Sequence, residues 1–413
     1  MISDEPILPW LEVVRAQVPG LELIDAHTHI GGNDPDGYAC SSDELLAALE
    51  RADARAVVFP MHEPGGYAAA NDLVISEAAA SQGRLTPFCR VDPNQEGAAE
   101  AERSLDAGAA GIKLHPRAEG FTLHHPGLED VFALAHERER PVLVHAGRGI
   151  PALGRDALAL CERYPGARLI LAHAGLCDLA WIWRAAPDHP NLFFDTAWWS
   201  ASDLLALFAL VPPGQILFGS DAPYGTPAFA AAMGLRYALQ AGLTAEQIRS
   251  VAGGQLERLL AGEEPLDVGA APGTGSLARD PLLDRVHTFL VSALGQMFNG
   301  VEPAETLDLV RLACEVGKDA PQAPVCRSIL SLLETRERYD ASSDGRPSRF
   351  RPGLQFIVVA AGVSRTPDVP LPAAREVKPV PTPPGDGGRA PGSAPSPPPR
   401  RPPRASSARP RGG

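Results

Sequence analysis

Residues 21 to about 260 alternate between two kinds of segment. Short, nearly continuous apolar runs occupy 23–31, 56–62, 85–93, 111–116, 141–147, 168–175, 191–196 and 215–223, and the stretches between them place apolar residues at helical spacing. Runs this short, without a clean polar alternation, read as parallel strands covered on both faces. Ser42, Asp43 and Glu44 mark the start of the first intervening helix, with Leu45, Leu46 and Leu49 on its apolar side. Each run carries a polar residue at its end: His29, His62, Asp92, His115, His145, His173, Asp195 and Asp221, at intervals of 22 to 33 residues. That interval is what one helix and two loops need before the next parallel strand. Eight such units predict an α/β fold, specifically a TIM (β/α)8 barrel. An open doubly wound sheet fits less well, because no Gly-rich phosphate loop follows the first run.

The pattern changes after the barrel, which is taken as residues 1–262. A Gly/Ala/Pro linker spans 263–280, and helical spacing returns over 281–338, where Leu282, Val286, Phe289, Leu290, Ala293 and Met297 line one face. This region reads as a small helical appendage. From residue 341 onward lie 17 of the 42 prolines, so 339–413 is expected to be a disordered Pro/Arg-rich tail whose composition cannot bury a core. The apolar run 354–363 inside it has no explanation from sequence.

Charge narrows the partners. Residues 341–413 carry twelve basic and four acidic side chains, which leaves 25 basic against 46 acidic in the remainder, a body that does not attract nucleic acid. No apolar run is long enough to cross a bilayer, and no basic cluster precedes an apolar core near Met1, so neither membrane insertion nor secretion is expected. A cytoplasmic location follows, with a small-molecule substrate as partner and a homo-oligomer left open. Cys40, Cys89, Cys161, Cys177, Cys314 and Cys326 are scattered without a Cys-x-x-Cys pair and read as reduced thiols.

The chemistry concentrates at the strand ends. His27 and His29, two apart on the first strand, face the same way, with Ile24, Ala26, Thr28 and Ile30 on the other face, and Gly31-Gly32 turns the chain after them. In a barrel the strand ends share one mouth, so residues distant in sequence converge there. Six of the eleven histidines occupy such positions. His27, His29, His145 and Asp221 form a borderline N/O ligand set suited to one Zn²⁺, with Mn²⁺ or Fe²⁺ as other divalent choices. Lys113 is the only lysine before residue 318, in a chain with 34 arginines, which favours a functional reading. It shares parity with His115 one layer deeper, making His115 a substrate contact. His62 reads either as another contact or as an ordinary strand-end histidine. Arg117 and Arg148 lie just beyond strands four and five, where a guanidinium could hold a substrate carboxylate. Trp198, Trp199 and Tyr224 could wall the pocket or belong to the core.

These motifs taken together resemble the metal-dependent amidohydrolase superfamily. The resemblance runs through Asp25-Ala26-His27-Thr28-His29, Gly111-Ile112-Lys113-Leu114-His115-Pro116, His145 in Val-His-Ala-Gly, His173 in Leu-Ala-His-Ala-Gly, and Phe218-Gly219-Ser220-Asp221. It is closest to the amidohydrolase 2 branch, which includes aminocarboxymuconate-semialdehyde decarboxylase and related hydrolases. The resemblance implies that His27, His29, His145 and Asp221 ligate one metal, with His173 beside the reactive water. Some superfamily members carboxylate a strand-four lysine to bridge a second metal, which makes carboxylated Lys113 the two-metal alternative.

Metal binding lowers the pKa of a water to about 7. Asp221 at the metal's edge can take that water's proton and pass it to a leaving group, while His173 polarises the scissile group or orients the water. The expected activity is therefore hydrolysis of a small amide, ester or lactone. The alternative is non-oxidative decarboxylation of a small carboxylic acid. A non-catalytic scaffold, with the appendage and tail binding a partner, is the third reading.

Overall fold

The computed structural model describes residues 4–341 and 353–373. Contacts divide the chain into a unit of Met1–Pro372 and a second, Ala373–Gly413, of which all but the first residue lies outside the described residues. Eight strands, β1 (Leu23–Ile30), β2 (Ala54–Pro60), β3 (Leu85–Arg90), β4 (Gly111–Leu114), β5 (Pro141–Val144), β6 (Arg168–Leu171), β7 (Leu192–Asp195) and β8 (Ile216–Leu217), pair in parallel and in chain order. The sheet closes on itself: the N–H of Ala26 donates to Phe218 O and that of His29 to Ala222 O, both at 2.8 Å. This is the expected TIM barrel. The first intervening helix, Ser42–Ala52, is capped one residue earlier than expected, by Ser41, in a reciprocal capping box with Glu44.

Two details of the strands depart from expectation. β8 spans two residues rather than the whole of 215–223, because the N–H of Phe218 donates to Val251 O outside the sheet. In β1 the register shifts between Asp25 and Thr28, a bulge that breaks strict alternation. Ile24 and Ala26 consequently pack in the barrel interior with Val57, Phe59, Phe88 and Phe193, on the same side as the His27 and His29 rings, which lie 5.3 and 4.5 Å from the Phe59 ring. Ile30 packs outward against the helices. The two histidines share a face as alternation requires, but Ile24 and Ala26 are not on the opposite one.

After the barrel, helices Pro281–Phe298, Ala304–Ala313 and Ala323–Ala341 form the appendage. The run without a sequence explanation forms a fourth helix, Leu354–Ser364, packed against Pro281–Phe298 and Ala323–Ala341, with every residue from Gln355 to Ser364 buried. The expectation that the whole of 339–413 lacks structure is thus corrected over this stretch; apart from residues 339–341 and 353–373, that expectation falls outside the described residues. The physical reason is that the helix borrows its core from its neighbours. Phe356, Ile357 and Val359 are fully buried in a helix that packs on those two neighbours, each burial contributing about 1.5–3 kcal/mol.

The segment is also tied to the barrel. Arg236, on helix Pro227–Ala241 and 1% exposed, donates through Nε to Thr366 Oγ1 (2.6 Å), through Nη1 to Pro370 O (2.6 Å), and through Nη2 to Thr366 O and Val369 O (both 2.9 Å). Burial lowers its pKa to about 10, and the carbonyl oxygens around it compensate for the lost water. Among the described residues no helix is long and apolar enough to cross a membrane. Arg236→Met, which leaves three carbonyls without this donor, is expected to lower unfolding free energy by about 3 kcal/mol in urea titration. A chain ended at Arg338 is expected to melt at least about 5 °C below the full chain. Unchanged stability in both would show that the docking is energetically idle.

Candidate metal centre

The site sits where β1 meets the loop after β8. Asp25 Oδ1 accepts from the N–H of His27 (3.0 Å) and from that of Ser220 (2.9 Å), joining the two segments. Burial raises the Asp25 pKa to about 7. On the other side, the N–H of Asp221 donates to His27 O (2.9 Å), holding Asp221 at φ +58°. His173 is likewise held in the left-handed region, at φ +56°. A non-glycine residue adopts that backbone only when its surroundings impose it.

These constraints bring Asp221 Oδ1 to 3.2 Å from both His27 Nε2 and His29 Nε2. The three residues each offer one ligand atom within 4.8 Å of the others, a geometry that could hold a metal ion. His27 Nδ1 lies 2.7 Å from Asp195 Oδ2, so that nitrogen carries the proton and Nε2 presents its lone pair to the site. Burial pushes the His27 pKa well down, reinforced by the nearby Lys113 charge, and brings His29 down to about 4. Burial alone would raise Asp221, but the neighbouring His27, His29 and His173 outweigh it and hold the carboxyl at about 2. Neutral imidazoles beside an ionised carboxylate are the protonation states a divalent cation requires.

His145 stands apart from this trio and faces His173. The Nδ1 of His173 donates to Ala197 O at 2.7 Å, which leaves its Nε2 to accept from His145 Nδ1 at 3.0 Å when both rings are neutral. His145 Nε2 then carries a lone pair, and it is buried without a hydrogen-bond partner among the described residues. The motif's glycine permits this pairing: a Cβ on Gly147 would come within 2.6 Å of His173 Cδ2. His115 stacks on His145 with ring centroids 3.9 Å apart, and its Nδ1 accepts from the N–H of Ala118.

The surrounding cavity, about 410 Å³, places the remaining candidates. Lys113 is fully buried, with Nζ 3.4 Å from His27 Nε2 and 4.7 Å from the Phe59 ring centre. Burial lowers its pKa to about 7, with the Arg90 charge adding to the effect. His115, Arg117 and Tyr224 also line the cavity, whereas Arg148, Trp198 and Trp199 do not. Arg148 is exposed and its carbonyl accepts from Arg117. Trp198 reaches to 6.3 Å from the His173 ring centre, and Trp199 packs on Phe298 of the appendage.

Sequence reasoning passed over two groups. Asp195 was only a strand terminus, yet it fixes His27 and accepts the N–H groups of His173 (2.8 Å) and Ala197 (3.0 Å). On the third strand the terminal residue facing the cavity is Arg90 rather than Asp92, which lies in the following turn and accepts from the N–H of Asn94. Arg90 pairs with Glu119 at 2.7 Å, both nearly inaccessible to solvent. The signal for Asp195 was present in its place at the end of a strand. None marked Glu119, which belongs to a short helix after the fourth strand.

The model of the amidohydrolase family matches residues 24–260, and the chain belongs to that family. No curated protein matches it. Among solved structures it is similar to 5-carboxyvanillate decarboxylase from Sphingomonas paucimobilis, at 17% identity over 59% of this chain and 99% of that one, with a TM-score of 0.47. It is similar also to 2,6-dihydroxybenzoate decarboxylase from Rhizobium (14%, 58% and 99%, TM-score 0.46). A third is 4-oxalomesaconate hydratase from Rhodopseudomonas palustris (18%, 58% and 96%, TM-score 0.46).

The hydrogen bonds assign ring tautomers that can be read directly. Nitrogen NMR of the metal-free protein is expected to show His27, His145 and His173 with the proton on Nδ1, and Asp195→Asn is expected to remove that preference at His27. An Nε2–H form at His27 in the unaltered protein would contradict the geometry.

Proposed function

We propose that the chain is a metal-dependent hydrolase of a small amide, ester or lactone, with one Zn²⁺ held by His27, His29, His145 and Asp221. The observation that carries this reading is the convergence of two neutral imidazoles and an ionised carboxylate within 4.8 Å, with the unpartnered lone pair of His145 Nε2 in the same cavity. When bound, the metal supplies an acidified water and a Lewis acid for the carbonyl oxygen. The protein's own groups do the rest. Asp221 accepts the proton of the attacking water. His173, its Nδ1–H held by Ala197 O, keeps the neighbouring His145 ring in the orientation that presents Nε2. Asp195 does the same for His27. Lys113, Arg117 and Arg90, the last already paired with Glu119, make one cationic side of the cavity, and Asp34 and Asp36 also line it.

That cationic side also supports a second reading, metal-dependent decarboxylation of a small carboxylic acid. Of Arg117 and Arg148, Arg117 alone lines the cavity, and Arg90 joins it. A screen of lactones, amides, esters and aromatic carboxylic acids separates the two. Hydrolytic turnover without CO₂ release is expected; CO₂ release dependent on Arg90 or Arg117, with no hydrolysis, would establish the second reading instead.

Elemental analysis is expected to find about one zinc per chain, lost in the His27→Ala, His29→Ala double variant. Asp195→Asn is expected to weaken metal affinity about 10- to 100-fold in chelator competition. Retention of a full equivalent by the double variant would remove the ligand assignment. Two equivalents, with the second abolished by Lys113→Ala, would move the reading to carboxylated Lys113 and two metals.

A further inference from the structure

The loop between β1 and helix Ser42–Ala52 brings Asp34, Pro35 and Asp36 to the cavity that holds His27, His29 and Asp221. Its two ends are pinned together: the N–H of Gly31 donates to Cys40 O and that of Cys40 to Gly31 O, both at 2.9 Å. Ends that close in this way on the intervening residues define a compact surface loop. Inside it the turn is built on Asp34, whose O accepts from the N–H of Gly37 (2.9 Å) and whose Oδ1 accepts from the N–H of Asp36 (2.8 Å). None of residues 32–39 is buried. The loop therefore has its own internal shape and little buried surface to hold it in place, the condition under which a segment opens locally.

Side chains tie it to the loops on either side. Toward β8, Asp34 Oδ2 accepts from the Tyr224 hydroxyl at 2.5 Å, and the Tyr38 ring lies 4.8 Å from the Tyr224 ring. Toward β2, Asn33 Nδ2 donates to Glu63 Oε2 at 2.6 Å. The two ties are unequal, because the Asn33 contact is exposed to competing water while the Tyr224 contact is partly buried and ends on a carboxylate. Tyr224 is itself well anchored: its N–H donates to Asp221 O at 2.8 Å, and its ring stands edge-on to that of His29, 5.6 Å away. One residue thus sits on the turn that carries Asp221, touches His29, and reaches the loop with its hydroxyl.

We propose that the loop of residues 31–40 is a lid on the metal centre, latched shut by the bond from the Tyr224 hydroxyl to Asp34. Releasing that bond frees the tip while the Gly31–Cys40 neck stays paired, so the loop swings as a unit. Closed, it keeps bulk water from the cavity; open, it admits a metal ion or a substrate. Tyr224 is a positioning residue in this scheme, since it acts through Asp34. The lid goes beyond the hydrolase reading, and its first measurement needs no metal.

The test uses the full chain and two variants, Tyr224→Phe and Asp34→Asn, which remove the bond from opposite sides and both keep an aromatic ring on His29. In the metal-free protein, hydrogen exchange at the amides of Asp36, Gly37 and Tyr38 is expected to rise about 10-fold in each variant, with exchange in β5 unchanged. Stopped-flow measurements are expected to show zinc uptake and zinc release faster by a common factor of about 10, so that the dissociation constant stays the same. A lid alters passage in both directions equally, whereas a purely structural role for Tyr224 beside His29 and Asp221 would shift the dissociation constant. Unchanged loop exchange, unchanged zinc rates or a shifted dissociation constant in both variants would overturn the lid. Melting temperature is measured for each, and Asp34→Asn decides if Tyr224→Phe does not fold. An unaltered chain that takes up no zinc would overturn the metal reading alone, and loop exchange would then decide whether the latch exists.

Discussion

One buried carboxylate holds the centre together. Asp195 ends β7, receives the ring N–H of His27 from β1, and receives the backbone N–H groups of His173 and Ala197. Three donors from two sides of the barrel therefore meet on two oxygens. Burial raises its pKa, and the N–H groups of Ala197 and His173 oppose the rise. Without these donors a carboxylate so deeply enclosed would be expensive to keep charged; without the carboxylate, the His27 ring would have no reason to choose one tautomer. The proposed ligand set depends on this reciprocal arrangement, because Asp221 lies against His27 and His145 against His173.

The barrel was legible because its signals are local and repeated. Apolar runs at intervals of 22 to 33 residues leave little freedom once each must pair in parallel with the next. The cluster of His27, His29 and Asp221 was legible for a related reason: strand ends share a mouth. What escaped were features set by neighbours rather than by the strand itself. The bulge in β1 responds to the closing contacts with Phe218 and Ala222, so alternation misassigned Ile24 and Ala26. Arg90 was missed because β3 ends two residues before Asp92, the residue its pattern favoured. Arg148 resembled Arg117 in sequence position, and both are exposed, but only a fold shows that Arg117 borders the cavity and Arg148 does not.

Helix Leu354–Ser364 shows the same limit from the opposite direction. Its eleven residues have almost no amphipathic pattern, since nearly all are apolar, and they sit amid proline-rich composition. A helix buried on all sides has no periodicity to display. Its partners, helices Pro281–Phe298 and Ala323–Ala341, do display one, and the face they leave uncovered is what the late helix fills. The appendage also touches the catalytic region through Phe298, which packs on Trp199, which packs on Trp198 beside His173.

The link between Arg236 and Thr366 spans 130 residues of sequence. A ribosome adding about 5–20 residues per second takes roughly 6 to 26 seconds to make that length. For that interval the outer face of helix Pro227–Ala241 is complete in sequence but uncovered, with a buried-type arginine and the Met233 and Tyr237 side chains awaiting the segment around Gly362. The barrel of a nascent chain thus passes through a period in which the last helix among the described residues is the missing cover of an apolar surface.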